Sequence, residues 1–354
     1  MNAMDLPRRD RQTLGLEVGF SLNELFFSRT DSRGVIQSGN EVFQRVSMFE
    51  WDEILKAPHK IIRHPDMPKA VFWLLWNTIQ QGLPIGAFVK NRAKDGRFYW
   101  VFAIVTPMGQ DYLSVRLKPS SPLLAIVEAE YAALVKQERE QNLTPPESAE
   151  RLLGRLADLG FRDYPSFMAA ALGAEVNSRE DKLDRVQDPT VTHFEKLLKA
   201  AEVLLSEAQS VASSYNRNQF VAFNMRIQAA HLELGGRTLG VISTDYSMLS
   251  EAIRDHLDAF IAKAKEVYAT IVEGEFLQCT SKIQREVVDQ FRAEVNLPEA
   301  IDMQAEIALL EGQQKLYVEK AQAGLERIEE QTRVFVRSTY EMQRLIASLE
   351  VTRV

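Results

Sequence analysis

The apolar residues of this chain change their period once, near Pro122, and that change confines it to a mixed domain followed by a long helical region. From about Leu22 to Leu117 the strand-like runs "ELFFSRTD", "GVIQSGN", "GAFVKNR", "RFYWVFAIVTPM" and "YLSVRLKP" are short. They are bounded by turn formers such as Asp31-Ser32-Arg33-Gly34 and Lys94-Asp95-Gly96-Arg97. The Asp-Gly of the second turn suits a tight hairpin. Between the second and third runs lie the helical pieces "NEVFQRVS" and "PKAVFWLLWNTIQQG", with Pro68 at a helix start and Gly82 just past its end. The order β β α α β β β predicts an α+β domain, an antiparallel sheet with helices gathered on one face.

Beyond Pro122 the pattern is helical. Leu123 to Gln141 is amphipathic, "TPPES" interrupts it, and "AERLLGRLADLGFRDYPSFMAAAL" reads as two short helices joined at Gly160 to Pro165. From about Ser178 helix is expected almost to the end. Phe194, Leu198, Ala201, Leu205, Ala208, Ala212 and Tyr215 alternate steps of four and three, as do Leu325, Ile328, Thr332, Phe335, Thr339, Met342, Ile346 and Leu349. Such narrow seams require a partner helix. Gly235-Gly236 breaks the run, because adjacent glycines cost about 1 kcal/mol each inside a helix. An antiparallel coiled-coil hairpin follows, with an arm from Ser178 to Glu233 of roughly 80 Å if unbroken. A second break at Asn296-Leu297-Pro298 sets off a last helix that folds back or pairs with another chain. The expected organisation is a tail at 1–20, the α+β domain at 21–120, a linker helix at 121–145 and a small helical segment at 146–177. The hairpin then occupies 178–354, with its tip near 231–237 and its last helix at 299–354.

Composition excludes several classes. In 354 residues the net charge is −7 and no basic stripe stands out, which argues against nucleic acid. No apolar run reaches the roughly 18 residues that span a bilayer, and the N-terminus lacks an apolar signal core, so a soluble cytoplasmic protein is expected. The single cysteine, Cys279, precludes an internal disulfide and reads as a small helix residue; no metal site is expected. No P-loop, H-E-x-x-H or G-x-S-x-G motif and no pair of catalytic carboxylates is present, so no enzyme is expected.

One loop carries denser chemistry. "RHPDMP" sets Arg63, His64 and Asp66 between prolines, ahead of a helix with Phe72, Trp73 and Trp76. Arg63 could clamp a pyrophosphate with a forked pair, Asp66 could accept from a ribose or orient His64, and the aromatic wall could cover a flat ring. Equally, Arg63 and Asp66 could form a plain loop salt bridge, Trp73 and Trp76 could be core, and His64 or His59 could ligate haem.

With "TDSRGVIQSGNEVFQRVS", "PHKIIRHPDMPKAVFWLLWNTIQQGLP", "VKNRAKDGRFYWVFAIVTPM" and "YLSVRLKP", this region resembles the PAS domain of the bacterial aerotaxis receptor family. The resemblance implies a PAS fold that holds FAD and reports its redox state. It assigns flavin binding to Arg63, His64 and Asp66, and places Asn40, Trp76, Asn91 and Tyr99 around the pocket. Ile85 departs from the family's tryptophan after Pro84, implying an altered contact near the cofactor.

"NQFVAFNMRIQAAHLELGGRTLGVISTDYSMLSEAI" is similar to the membrane-distal tip of methyl-accepting chemotaxis receptors, matching at Asn224, Ile227, Ala229, Ala230, Gly236, Arg237 and Val241. It departs where the family's charged residues become Gln228, His231 and Leu234. The resemblance implies a homodimer whose tip, through Phe220, Phe223, Asn224, Ile227, Gln228, Arg237 and Val241, meets a coupling protein and histidine kinase or other chemoreceptors. The function expected is a redox or oxygen sensor. The alternatives are a cofactor-free PAS scaffold and a haem-based gas sensor.

Overall fold

In a computed structural model, the structure describes residues 15–218, 224, 227–228 and 236–351. Two compact units result, one formed by residues 1–192 with 275–321 and the other by 193–274 with 322–354.

The first unit is built on a five-stranded antiparallel sheet. Its strands are β1 (Leu25–Thr30), β2 (Ile36–Gly39), β3 (Ile85–Arg92), β4 (Phe98–Met108) and β5 (Asp111–Leu117), in spatial order β2-β1-β5-β4-β3. The Asp95-Gly96 turn closes the β3–β4 hairpin, with Gly96 at φ 92°, a conformation a Cβ would oppose. Between β2 and β3 run α1 (Glu41–Ser47), α2 (Trp51–Ile54), a 3₁₀ turn (His59–Ile62) and α3 (Lys69–Ile79). Asn40 caps α1 by accepting from Phe43 N, accepts also from Phe27 N, and donates to Leu25 O, which fixes the helix to β1.

The sheet has a second covered face. Later in the chain come α4 (Leu123–Glu140), α5 (Pro145–Asp158), α6 (Tyr164–Lys182), α7 (Pro189–Asn218), α8 (Gly236–Phe291) and α9 (Met303–Val351). Tyr131 of α4 donates to Phe88 O, Tyr164 of α6 to Gly86 O, and Phe291 of α8 meets Phe27 edge-on at 4.7 Å. Arg29 of β1 is held between Asp111 and Glu306 of α9. Arg179 of α6, fully buried, donates to Leu22 O and pairs with Glu286 of α8 at 2.8 Å. The sheet therefore carries α1 to α3 on one face and α4, α6, α8 and α9 on the other, with α5 packed against α3, more cover than the single helical face expected.

The predicted unbroken helix from Ser178 is interrupted. α6 runs on to Lys182, Asp184 then takes φ 52°, and α7 restarts at Pro189 behind Asp188, whose side chain accepts from Thr190 N. Aspartate tolerates the left-handed turn and proline cannot continue a helix, so the break is local chemistry.

In the second unit α7 and α8 run antiparallel, the ring of Phe194 lying where a Cβ on Gly274 would come within 2.5 Å of it. The heptad residues Phe194, Leu198, Ala201, Leu205 and Ala208 are all buried. The last helix folds back on α8 as Phe335 packs against Phe260 at 4.2 Å and Arg327 pairs with Glu273. The tip turn, with Phe220, Phe223, Ala229, Ala230, His231 and Leu234, lies outside the described residues.

Closure of α8 on the sheet requires Gly86. A Cβ there would stand 2.9 Å from the rings of both Phe102 and Phe276, so Gly86→Ala is expected to destabilise the protein by about 1 to 3 kcal/mol in urea unfolding. An unchanged midpoint would show that α8 does not press on β3.

Candidate functional site

The inner sheet face and α1 to α3 do not fill the space between them. A cavity of about 270 Å³ remains, walled by Ile62, Phe72, Trp76 and Ile79 on the helical side and by Val89 and Ala103 on the sheet. Outside it lies a cleft of about 800 Å³, and Lys60, Arg63, Phe72 and Trp76 line both chambers. Neither lining contains an aspartate or glutamate, whereas Arg33, Lys60, Arg63 and Arg116 face the cavity and Lys69 and Arg92 the cleft.

The strands explain the placement. Period-two alternation turns Val89 and Asn91 of β3, Ala103 and Val105 of β4, and Tyr112, Ser114 and Arg116 of β5 to the cavity. Their neighbours Phe88, Phe102, Leu113 and Val115 are buried too. Gly34, at φ 76°, lets Trp76 approach: a Cβ there would stand 3.1 Å from the indole. Trp76 then meets Tyr112 edge-on at 5.7 Å across the mouth of the cavity.

Arg63 closes the 3₁₀ turn and its guanidinium lies 3.2 Å above the centre of the Phe72 ring, between the two chambers. Burial lowers it to about 10, opposed by the charge of Glu138, so it remains a cation at neutral pH. His64 is buried against the cleft; its Nδ1 accepts from Asp66 N and its Nε2 has no protein partner. Burial first, then the charge of Lys90, lowers it to about 4 against the opposing pull of Asp66.

Asp66 itself points elsewhere. Its carboxylate, 54% exposed, lies 3.5 Å from Lys90 and 3.6 Å from both Arg139 and His64 Nδ1, and it lines neither chamber. Asn91 lines the cavity, with its side-chain nitrogen buried and unpartnered. Asn40 and Tyr99 are buried outside it, Asn40 as the α1 cap and Tyr99 against Phe20 and Phe26, where burial raises its pKa. Of the seven pocket residues expected, the structure brings Arg63, His64, Trp76 and Asn91 to the two chambers. Ile85 begins β3 opposite Val105, whose side chain lines the cavity.

A cluster that sequence reasoning missed stands at the cavity floor. Arg116 Nη2 donates to Ser28 Oγ at 2.7 Å and to His59 Nε2 at 2.5 Å, and His59 stacks on Phe43. Burial first, and then Arg116, holds His59 well below its ordinary pKa, so the imidazole is neutral and its Nε2 is engaged as an acceptor. The alternation of Tyr112, Ser114 and Arg116 with Leu113, Val115 and Leu117 was the available signal. Of the tip residues, Asn224, Ile227, Gln228 and Val241 are exposed, and Arg237 lies in α8.

Residues of this chain are 40% identical over 112 positions to an Escherichia coli protein named aerotaxis receptor, spanning 30% of this chain and 22% of that one. The five-stranded antiparallel sheet with its flanking helices has the α+β architecture expected of a PAS domain. This chain thus matches about a fifth of the length of the curated relative, and no protein-family model matches it. Among solved structures, the light state of the blue-light photoreceptor Aureochrome1 LOV is 24% identical, covering 33% of this chain and 91% of that one at a TM-score of 0.25. A PAS domain of a Colwellia psychrerythraea protein is 15% identical, covering 27% and 85% at a TM-score of 0.23. Among the described residues, no helix is long and apolar enough to cross a membrane.

The buried histidine is expected to make the α+β domain acid-sensitive. Between about pH 6.5 and 4 the unfolded chain binds a proton that folded His64 refuses, so stability present above pH 6.5 is lost on acidification. Denaturant titrations at pH 7.5 and 5 should show a smaller loss for His64→Asn than for the natural protein. An identical loss in both would show that His64 titrates normally in the fold.

Proposed function

We propose that the PAS domain binds FAD and that the chain is a redox-responsive signal transducer, not an enzyme, with its helical region as output. The observation that carries this reading is the joined cavity and cleft, apolar and aromatic inside, cationic throughout and free of carboxylates. An inner compartment suited to a flat ring, continuous with an outer one suited to phosphates, matches the two ends of a dinucleotide. Arg63 at the junction would pair with the pyrophosphate, Lys60 and Arg92 would add positive charge, and Phe72 and Trp76 would flank the ring. When bound, a flavin supplies reversible electron uptake that the surrounding dipoles and charges tune. In the inner cavity a haem ligand is disfavoured, because His59 has its Nε2 engaged by Arg116, while His64 offers an unpartnered Nε2 only to the outer cleft.

The output follows from the sheet. Ser28 joins the cavity-floor cluster, while its neighbours Phe27 and Arg29 contact α8 and α9 from the opposite face. A change of charge in the cavity needs to favour one packing of these helices by only a few kcal/mol to shift the population. Downstream, a homodimer acting in the cytoplasm would present Asn224, Ile227, Gln228 and Val241 to a coupling protein and histidine kinase or to other chemoreceptors.

The test is the visible absorption spectrum of the full-length protein after FAD reconstitution, before and after dithionite. The two-band flavin spectrum, bleached on reduction, is expected. A Soret band in the protein as purified would replace flavin by haem, and an empty spectrum would leave a scaffold. Arg63→Ala should lower FAD affinity at least about tenfold, whereas Asp66→Asn, changed outside both chambers, should lower it less. Equal losses would place Asp66 at the ligand.

A further inference from the structure

Two arginines of the first unit are wholly buried, and they are treated differently. Arg179 is neutralised by Glu286 at 2.8 Å. Arg116 is 2% exposed, sits mid-strand on β5, and makes no ion pair among the described residues. Its polar contacts, Ser28 Oγ and His59 Nε2, are both neutral. The other guanidinium nitrogen, Nη1, is buried without a partner. A buried cation left without a counter-charge costs several kcal/mol, so a fold that keeps one at a cavity wall has a use for it. Strand alternation sets Arg116 among the cavity residues with Asn91, whose side-chain nitrogen is also unpartnered. His59, held flat against Phe43, and Ser28 both engage Nη2, and Nη1 makes no hydrogen bond among the described residues.

We infer that Arg116 is the anion-recognising group of the inner cavity, binding the electron-rich carbonyl edge of a planar ring and holding most tightly the form of the ring that carries negative charge. The inference rests on the flavin reading and adds the residue that sets the redox response. Uptake of two electrons and one proton, from a two-electron donor such as dithionite, leaves a flavin ring with one negative charge at the edge next to its C2 carbonyl. Arg116 would act through charge rather than by proton transfer, since a guanidinium keeps its protons. His59 and Ser28 would be positioning residues for it.

The test compares full-length natural protein with Arg116→Met and Arg116→Lys, each reconstituted with FAD. Reduction is followed by absorbance against a reference dye, and the thermal midpoint of the flavin-free protein is recorded alongside. Arg116→Met should weaken binding of the reduced flavin at least about tenfold more than that of oxidised FAD, so that its reduction equilibrium constant falls by the same factor. Arg116→Lys should fall between the two. The flavin-free Arg116→Met protein should melt no lower than the natural one, because an uncompensated cation has been replaced by an apolar side chain of similar length. An unchanged reduction equilibrium in a flavin-loaded Arg116→Met protein would overturn the inference and leave the flavin reading intact, as would a drop in the midpoint of its flavin-free form, which marks Arg116 as structural. If Arg116→Met does not fold, Arg116→Lys decides: a reduction equilibrium equal to the natural one means that the fork is not used. Natural protein that takes up no FAD overturns the flavin reading and this inference together.

Discussion

Both faces of the sheet are covered, so most strand residues face either the cavity or the helices behind it. In an ordinary two-layer α+β domain one face of the sheet can drift without consequence for the other. Here the same three-residue stretch of β1 contributes Phe27 and Arg29 to α8 and α9 and Ser28 to the Arg116 cluster. The backbone between them is a single peptide unit on either side. A tilt of β1 or β5 that accommodates a changed charge in the cavity must also move Phe27 against Phe291 or Arg29 against Glu306.

Charge is distributed in keeping with that arrangement. On the outer face, cations are matched: Arg29 by Asp111 and Glu306, and Arg179 by Glu286. On the inner face Arg33 is matched by Asp31, but Lys60, Arg63, Arg92 and Arg116, which line the cavity and cleft, make no ion pair among the described residues. Matched pairs hold a packing in place, whereas unmatched cations wait for a partner. The first set therefore reads as framework and the second as site.

Much of this was legible in the sequence. The order of elements along the chain, the Asp95-Gly96 hairpin, the break at Pro122 and the buried heptads of α7 all follow from local period and turn chemistry. Arg63 and Trp76 were legible because the Pro-punctuated loop fixes where they emerge. Arg116 was not: on a strand, an alternating polar residue reads the same whether its face meets solvent or a closed cavity, and only the docking of α1 to α3 distinguishes them. Asn40 and Asp66 lie outside both chambers for a similar reason. A polar residue beside a pocket can be spent on the frame, as Asn40 is in capping α1 and Asp66 in holding Lys90 and Arg139. The second covered face could not be read at all, because it depends on residues hundreds of positions apart, such as Leu25 and Gln290, meeting in space.

The most direct test of the account is hydrogen–deuterium exchange on the full-length, FAD-loaded protein in its oxidised and dithionite-reduced states, followed at the peptides spanning Glu286 to Gln313. Because the cavity and these helices share β1 and β5, exchange there should change with the redox state together with that of β5. Altered exchange confined to the cavity strands, with Glu286 to Gln313 unmoved, would contradict the claim that the sheet carries the state of the site to the helices.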